Sequence, residues 1–116
     1  MGRSQIVLEP EARDAAATLG ALVRRRRLTL PMTVKDLAAR AGVSARTVTL
    51  IERGDPSVSI GNALNVAAVV GVPLFGARDT ATLGLISAAA RAEAAALGRE
   101  RARKGGQAIA DADVDF

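Results

Sequence analysis

The 116-residue sequence predicts an all-α protein with several short helices and a longer helical extension. Apolar residues recur at intervals of three and four positions, which is the period of an amphipathic helix. Glycine or proline separates the successive apolar segments, as at Gly42, Gly71 and Pro73, and both residue types interrupt helices. Aromatic residues make up only 2% of the chain, so the core must be built from alanine, valine, leucine and isoleucine.

The first helix is predicted over residues 14–27, after an N-terminal arm of residues 1–13. Within the arm, residues 6–8 form a short β-prone run that Pro10 closes. Pro31 forces an interruption after the helix. Apolar residues recur at helical spacing within it: Ala15, Leu19, Leu22 and Val23.

Residues 33–54 contain two short amphipathic segments hinged at Gly42. Thr33 is predicted to cap the second helix, with Asp36 at the position that completes a capping box. Gly42 lies where this helix must end, because glycine tolerates the left-handed conformation of such a break. Two helices that cross closely need a small residue at their contact, and Ala38 supplies one.

The third helix is predicted over about residues 45–53, with Ser44 as its N-cap. Residues 54–57 read Gly-Asp-Pro-Ser and predict a turn. Ser59 is predicted to cap the fourth helix, which Gly71 ends. The predicted apolar stripe of the fourth helix consists of Ile60, Leu64, Ala67 and Ala68.

The last third of the sequence predicts a change of organisation. Leu74 and Phe75 are expected to fold back as a short fifth helix or a turn. Residues 77–104 are rich in alanine, arginine and glutamate and predict a helical extension that serves in dimerisation or covers the domain. The glycine pair at 105–106 is expected to end it, and residues 105–116 are expected to form a flexible acidic tail.

The second and third helices together have the layout of a helix-turn-helix, in which the second helix of the pair can enter the major groove of DNA. Spacing alone is also compatible with an ordinary helical hairpin inside any all-α protein.

The residue types in this segment resemble the Cro/C1-type (XRE) helix-turn-helix family. The matching positions are Thr33, Leu37, Ala38, Gly42, Val43, Ser44, Thr47, Val48, Thr49, Ile51, Glu52 and Gly54. The resemblance implies a compact five-helix lambda-repressor-like DNA-binding domain over residues 14–76. It also implies a sequence-specific repressor that binds a double-stranded DNA operator as a homodimer.

The family pattern places the base-contacting residues at the start of the third helix: Ala45, Arg46, Thr47, Thr49 and Leu50. The phosphate-contacting candidates lie around them: Thr33, Lys35, Ser44 and Arg53. For Arg53 the alternative is a pair with an acidic residue. Arg46 is the strongest candidate for a base contact, since a guanidinium can form two hydrogen bonds with guanine, and the alternative is a contact with phosphate. Many members have glutamine where this chain has Val34, so Lys35 is the candidate that replaces that phosphate contact. Glu52 is expected to bond within the fold.

The charge distribution agrees with a nucleic-acid partner. The formal net charge is +4. Its basic residues concentrate in and before the predicted helix-turn-helix: Arg24, Arg25, Arg26, Arg27, Lys35, Arg40, Arg46 and Arg53. Such a surface attracts phosphate and makes binding salt-dependent. The four consecutive arginines are equally compatible with complementing the negative end of a helix.

Composition also excludes several classes of protein. The chain has no cysteine and no histidine, which removes the disulfide scaffold, the commonest general base and the commonest metal ligand. No apolar run approaches the roughly 20 residues of a membrane helix. We therefore expect a cytoplasmic protein that is not an enzyme and that uses no cofactor or metal.

Residues 52–60 resemble a stretch seen in regulators paired with HipA-like kinases, the HipB-like antitoxins, which repress their own operon and bind the toxin. This resemblance implies that Phe116, with Val114, anchors the acidic tail in a pocket of a HipA-like kinase toxin. The alternatives are a frayed terminus, and a phage-type repressor without a toxin partner. A third is a protein-interaction module with a degenerate DNA motif, favoured by Val34 and Ala45 where polar contacts are expected.

Overall fold

A computed structural model describes the backbone of residues 7–114 and the side chains of residues 7–106. This part of the chain contains no β-strand, which confirms the all-α fold class. Its helices are α1 (Pro10–Thr29), α2 (Val34–Ala41), α3 (Ala45–Glu52), α4 (Ile60–Val70) and α5 (Thr80–Val114). The chain divides into two units, Met1–Arg78 with the first four helices and Asp79–Phe116 with α5.

Helix α1 begins at Pro10, four positions before the predicted start, so the last residues assigned to the arm are helical. Proline suits the first position of a helix, because its φ angle is already helical and its missing N–H would have no partner there. The proline that was expected to close a β-prone run therefore starts a helix. Val7 and Leu8 lie in an irregular segment, and Ile6 lies outside the described residues.

The predicted caps of α2 and α3 are confirmed. The Thr33 hydroxyl accepts from the Asp36 N–H at 3.0 Å, and the Asp36 carboxylate accepts from the Thr33 N–H at 3.0 Å. Gly42 ends α2 with a left-handed φ of 69°. The Ser44 hydroxyl accepts from the Thr47 N–H at 3.0 Å and starts α3.

Helix α4 also begins and ends where predicted. The Ser59 hydroxyl accepts from the Asn62 N–H at 3.2 Å, and Gly71 ends the helix with a φ of 83°. Of the two forms expected for the next segment, the structure has the turn, in which Leu74 and Ala77 pair.

The core of the first unit lies between α1, α2, α3 and α4, and most of it is aliphatic. Its buried apolar members are Val23, Met32, Leu37, Ala38, Ala41, Val48, Ile51, Val66, Ala67, Val70 and Val72. The predicted stripe of α4 was wrong in part, since Ile60 is 78% exposed and Ala68 is exposed, whereas Val66 and Val70 are buried. This helix is apolar on nearly every side, so periodicity could not select the face that packs.

Helix α1 approaches the end of α3 so closely that only glycine fits at two positions. A Cβ on Gly20 would collide with the backbone carbonyls of Ile51 and Glu52. Gly54 has a φ of 73°, and a Cβ there would lie 2.8 Å from the Cα of Ala17. These two contacts fix the C-terminal end of α3 against α1.

A buried ion pair joins the same two helices. Arg27 is only 7% exposed. Its guanidinium donates to both carboxylate oxygens of Glu52, at 2.7 and 3.0 Å, and to the carbonyl of Met32 at 3.0 Å. The hydrogen bond and the charge of Glu52 raise the pKa of Arg27 above its ordinary value. Glu52 therefore bonds within the fold, as predicted.

The four consecutive arginines have different surroundings. Arg27 is buried, and the Nε of Arg26 donates to the carbonyl of Val70 at 2.8 Å, at the C-terminal end of α4. Arg24 and Arg25 are exposed. Arg26 thus complements the negative end of a helix, as one interpretation of the arginines predicted, but that helix is α4.

The second unit consists of α5, whose first turn is capped by Asp79, since its carboxylate accepts from the Thr82 N–H at 2.7 Å. The predicted end at the glycine pair 105–106 was wrong, because the helix continues to Val114. Each glycine costs about 1 kcal/mol relative to alanine, and no proline or left-handed cap follows the pair to stop the helix. Within the described residues, no helix is long and apolar enough to cross a membrane.

Replacing Glu52 by glutamine should destabilise the first unit by about 3–5 kcal/mol, because Arg27 would stay buried without its counter-charge. The free energy of unfolding in urea measures the loss. The double variant Arg27→Met/Glu52→Leu should recover much of it, since replacing both partners by apolar groups is often nearly neutral.

Glu100→Gln is the control, because it breaks the exposed Lys104–Glu100 pair, 3.1 Å long, and should cost less than about 1 kcal/mol. A double variant as unstable as Glu52→Gln would show that the loss does not come from leaving Arg27 buried without its counter-charge.

Candidate nucleic-acid interface

The first turn of α3 presents its side chains outward. Ala45 and Arg46 are exposed, and Thr47 is half-buried. The Thr47 hydroxyl lies 2.9 Å from the Ser44 hydroxyl, so it belongs to the cap of the helix. Arg46 and Thr47 therefore both lie outside the interior, as the reading of bases requires.

The later candidates on α3 are less accessible. Thr49 and Leu50 are half-buried, whereas Val48 and Ile51 are buried in the core. The accessible part of α3 is therefore concentrated at its N-terminus, with Thr49 and Leu50 at the margin of that surface.

The predicted phosphate contacts lie at both helix starts and at one helix end. Thr33 and Lys35 are exposed at the start of α2, Ser44 is exposed at the start of α3, and Arg53 is exposed at its C-cap. The Thr33 hydroxyl oxygen accepts from Asp36, which leaves the hydroxyl hydrogen available to donate to a phosphate.

Each of these two helix starts also presents backbone amides. The first N–H groups of a helix have no partner inside the helix, and the helix dipole makes that end favourable for anions. In α2 the amides of Val34 and Lys35 are in this position, and in α3 those of Ala45 and Arg46. This arrangement suits a phosphate backbone.

Val34 cannot replace the glutamine that many family members have at this position. Its side chain is half-buried and packs against the core. Lys35, the next residue, is exposed and is the cation nearest in sequence. With Val34 in place of glutamine, this position packs against the core and offers no polar group to DNA.

Two carboxylates lie among the cations of this surface. Hydrogen bonds from Thr33 lower the pKa of Asp36, and the charge of Arg40 adds to the effect. Hydrogen bonds from the hydroxyl and the N–H of Ser57, at 2.6 and 2.8 Å, lower the pKa of Asp55, and Arg46 contributes through its charge.

The charge of Arg46 contributes to the lowered pKa of Asp55, and no helical spacing signals this influence because Asp55 lies in the turn between α3 and α4. Arg40, at the end of α2, is a second exposed cation that the family pattern did not select.

The predicted toxin-binding residues lie at the limit of the structure. Val114 is the last residue of α5, and its side chain is outside the described part. Phe116 lies outside the described residues altogether. Among the residues with described positions, no three histidine, cysteine, aspartate or glutamate side chains are grouped to hold a metal ion.

Replacing Asp36 by asparagine should reduce the pH dependence of stability. The pKa of Asp36 is below its ordinary value of 3.8, so its charge stabilises the fold above that pH, and the stabilisation is lost as the pH falls through the folded pKa. Urea unfolding of the two proteins should therefore differ most above about pH 5 and converge in acid. Thr33→Ser keeps the hydroxyl and should keep the pH dependence. Parallel stability curves for the wild type and Asp36→Asn would contradict this assignment.

The match with known proteins covers the same part of the chain. Residues 23–76 match the model of the helix-turn-helix family. No curated protein and no solved structure is significantly similar to the chain. The match extends from the middle of α1 to the turn after α4 and includes both capped helix starts described above. Residues 23–76 are therefore a helix-turn-helix domain of the XRE type, which is a DNA-binding domain.

Proposed function

We propose that the protein is a transcription regulator that represses by binding a DNA operator through the first turn of α3. The observation that carries the proposal is the exposure of Arg46 at the start of the second helix of a helix-turn-helix domain. That helix start is the part of the motif that enters the major groove.

Arg46 is proposed to read a guanine through two hydrogen bonds. Ala45 offers a methyl group suited to apolar contact with thymine, and Thr47 and Thr49 offer a hydroxyl and a methyl group each. Leu50 lies at the margin of the contact.

The phosphate backbone is proposed to contact the start of α2 and both ends of α3. The amides of Val34 and Lys35 face the phosphate with the dipole of α2 behind them. Lys35 and Arg53 supply charge, and Thr33 and Ser44 supply hydroxyl groups. Such contacts set the register of the protein on DNA and carry no sequence information themselves.

We also propose that two copies bind together. One recognition helix reads only a few base pairs, which is too little to select one site in a genome. Two copies on half-sites about one helical turn apart supply the required specificity.

The alternative of an interaction module with a degenerate DNA motif is favoured by Val34 and by the small side chain of Ala45. The two readings differ in sequence preference. Weak binding that is the same for all duplexes supports the interaction module, whereas selection of a defined duplex from a random pool supports the regulator.

Arg46→Ala should lower affinity for a duplex selected in this way by about tenfold or more, and should relax the preference at one base pair. Lys35→Ala should weaken binding to all sequences alike and reduce the slope of log affinity against log salt by about one. Fluorescence anisotropy at several salt concentrations measures both. Arg13→Ala removes an exposed cation from the first turn of α1 and is the control. A uniform loss across sequences for Arg46→Ala would assign Arg46 to phosphate.

An antitoxin role is a more specific proposal, which the resemblance of residues 52–60 to HipB-like antitoxins suggests. Several residues of this stretch have roles within the fold. Glu52 pairs with Arg27, Gly54 allows the approach of α1, and Asp55 caps the turn through Ser57. These roles explain the stretch without a toxin, so the proposal of a HipA-like kinase partner depends on the acidic tail.

Deleting residues 111–116 tests the proposed tail contact. The deletion should weaken binding to a HipA-like kinase, because it removes three aspartates and the aromatic anchor. Affinity for the operator should stay nearly unchanged. Surface plasmon resonance with the kinase and with the duplex measures both, and an unaltered kinase affinity would refute the tail contact.

A further inference from the structure

We propose that the first unit has a second binding surface, a groove that takes an acidic segment of a partner protein carrying an apolar side chain. The groove has a volume of about 480 Å³ and lies between the end of α1 and the segment that follows α4. We call it the arginine groove. Its lining residues are Leu22, Arg25, Arg26, Thr29, Val72, Pro73 and Arg78.

The apolar part of the arginine groove gives it a site for a hydrophobic side chain. Val72 belongs to the buried core, Pro73 follows it, and Leu22 is 37% exposed although it lies on the apolar side of α1. The groove is thus an opening onto the edge of the core. A side chain placed there would remove apolar surface from water on both molecules.

The cations of the groove are three guanidinium groups, and no carboxylate lines it. None of the three arginines forms an ion pair with a described carboxylate. Arg26 is held in place, because its Nε donates to the carbonyl of Val70 at 2.8 Å. Arg25 and Arg78 are exposed on the same groove. Guanidinium groups favour carboxylates because the planar fork matches both oxygens.

Charge and apolar lining together select the class of partner. Three guanidinium groups repel a second copy of the same groove and attract an anion. DNA phosphate satisfies the charge and leaves the apolar lining without a partner. An acidic peptide segment with a leucine, isoleucine or phenylalanine among its carboxylates satisfies both.

Phe75 supplies an independent sign of function beside the groove. It lies in the turn between Pro73 and Arg78, has a φ of 53° and is 78% exposed. A bulky residue in the left-handed region is strained, and strain of this kind concentrates at binding and switch sites. Glycine would relieve the strain, so folding alone does not account for an exposed aromatic residue here.

The arginine groove is built from elements other than those that read DNA. All seven of its lining residues lie in α1 or after α4, and none lies in α2 or α3. Loss of one function therefore need not affect the other, which makes the proposal testable separately from DNA binding.

The test is selection of 12-residue peptides from a random displayed library against the full chain. The enriched peptides should combine aspartate or glutamate with one or more large apolar residues. Arg25→Glu/Arg78→Glu should lower affinity for the strongest peptide by about tenfold or more, and should lower operator affinity no more than the matched control does. Arg13→Glu/Arg24→Glu is the matched control, since it changes the net charge equally at exposed arginines outside the groove.

Three outcomes overturn the proposal. They are enriched peptides without acidic residues, equal peptide affinity for both double variants, and a loss of operator affinity in Arg25→Glu/Arg78→Glu that exceeds the loss in the control, which would assign the groove to DNA phosphate.

Discussion

The buried pair of Arg27 and Glu52 is the interaction on which the placement of the recognition helix depends. Two charges removed from water are tolerated only when they pair closely and their remaining donors are satisfied. Here the guanidinium bonds to both carboxylate oxygens and to the carbonyl of Met32, so it joins α1, the segment before α2, and α3. With Gly20 and Gly54 packed against the same end, α3 is held at its C-terminus, whereas Ala45 and Arg46 at its N-terminus are exposed.

The run of four arginines shows how one short segment serves both stability and surface charge. Successive residues of a helix point about 100° apart, so four neighbours cover the whole circumference. Arg27 is buried with Glu52, and Arg26 donates to the carbonyl of Val70 at the end of α4. Arg24 and Arg25 remain exposed. Only part of the positive charge counted from the sequence is therefore available to a partner.

The first unit offers two surfaces with different chemistry. The surface formed by α2 and α3 presents helix N-termini, hydroxyl groups and single cations, which suits a regular array of phosphates and base edges. The arginine groove presents clustered guanidinium groups around an opening onto the core, which suits carboxylates on a peptide. The two surfaces share no residue, because no lining residue of the groove belongs to α2 or α3.

The sequence by itself determined the features that depend on neighbours a few positions away. Thr33 with Asp36, Ser44 and Gly42 identify the limits of α2 and α3, because capping bonds form within about one turn. These limits gave the layout of the helix-turn-helix, and the resemblance to the family pattern then singled out Arg46.

Tertiary structure alone decided which arginine is buried and which face of α4 packs. In each case residues distant in sequence make the choice. Of the four consecutive arginines, only Arg27 is placed to pair with Glu52. The helices packed around α4 determine which side of this largely apolar helix is buried. The arginine groove is also invisible in the sequence, since its two sides are more than 40 positions apart and meet where Arg26 bonds to Val70.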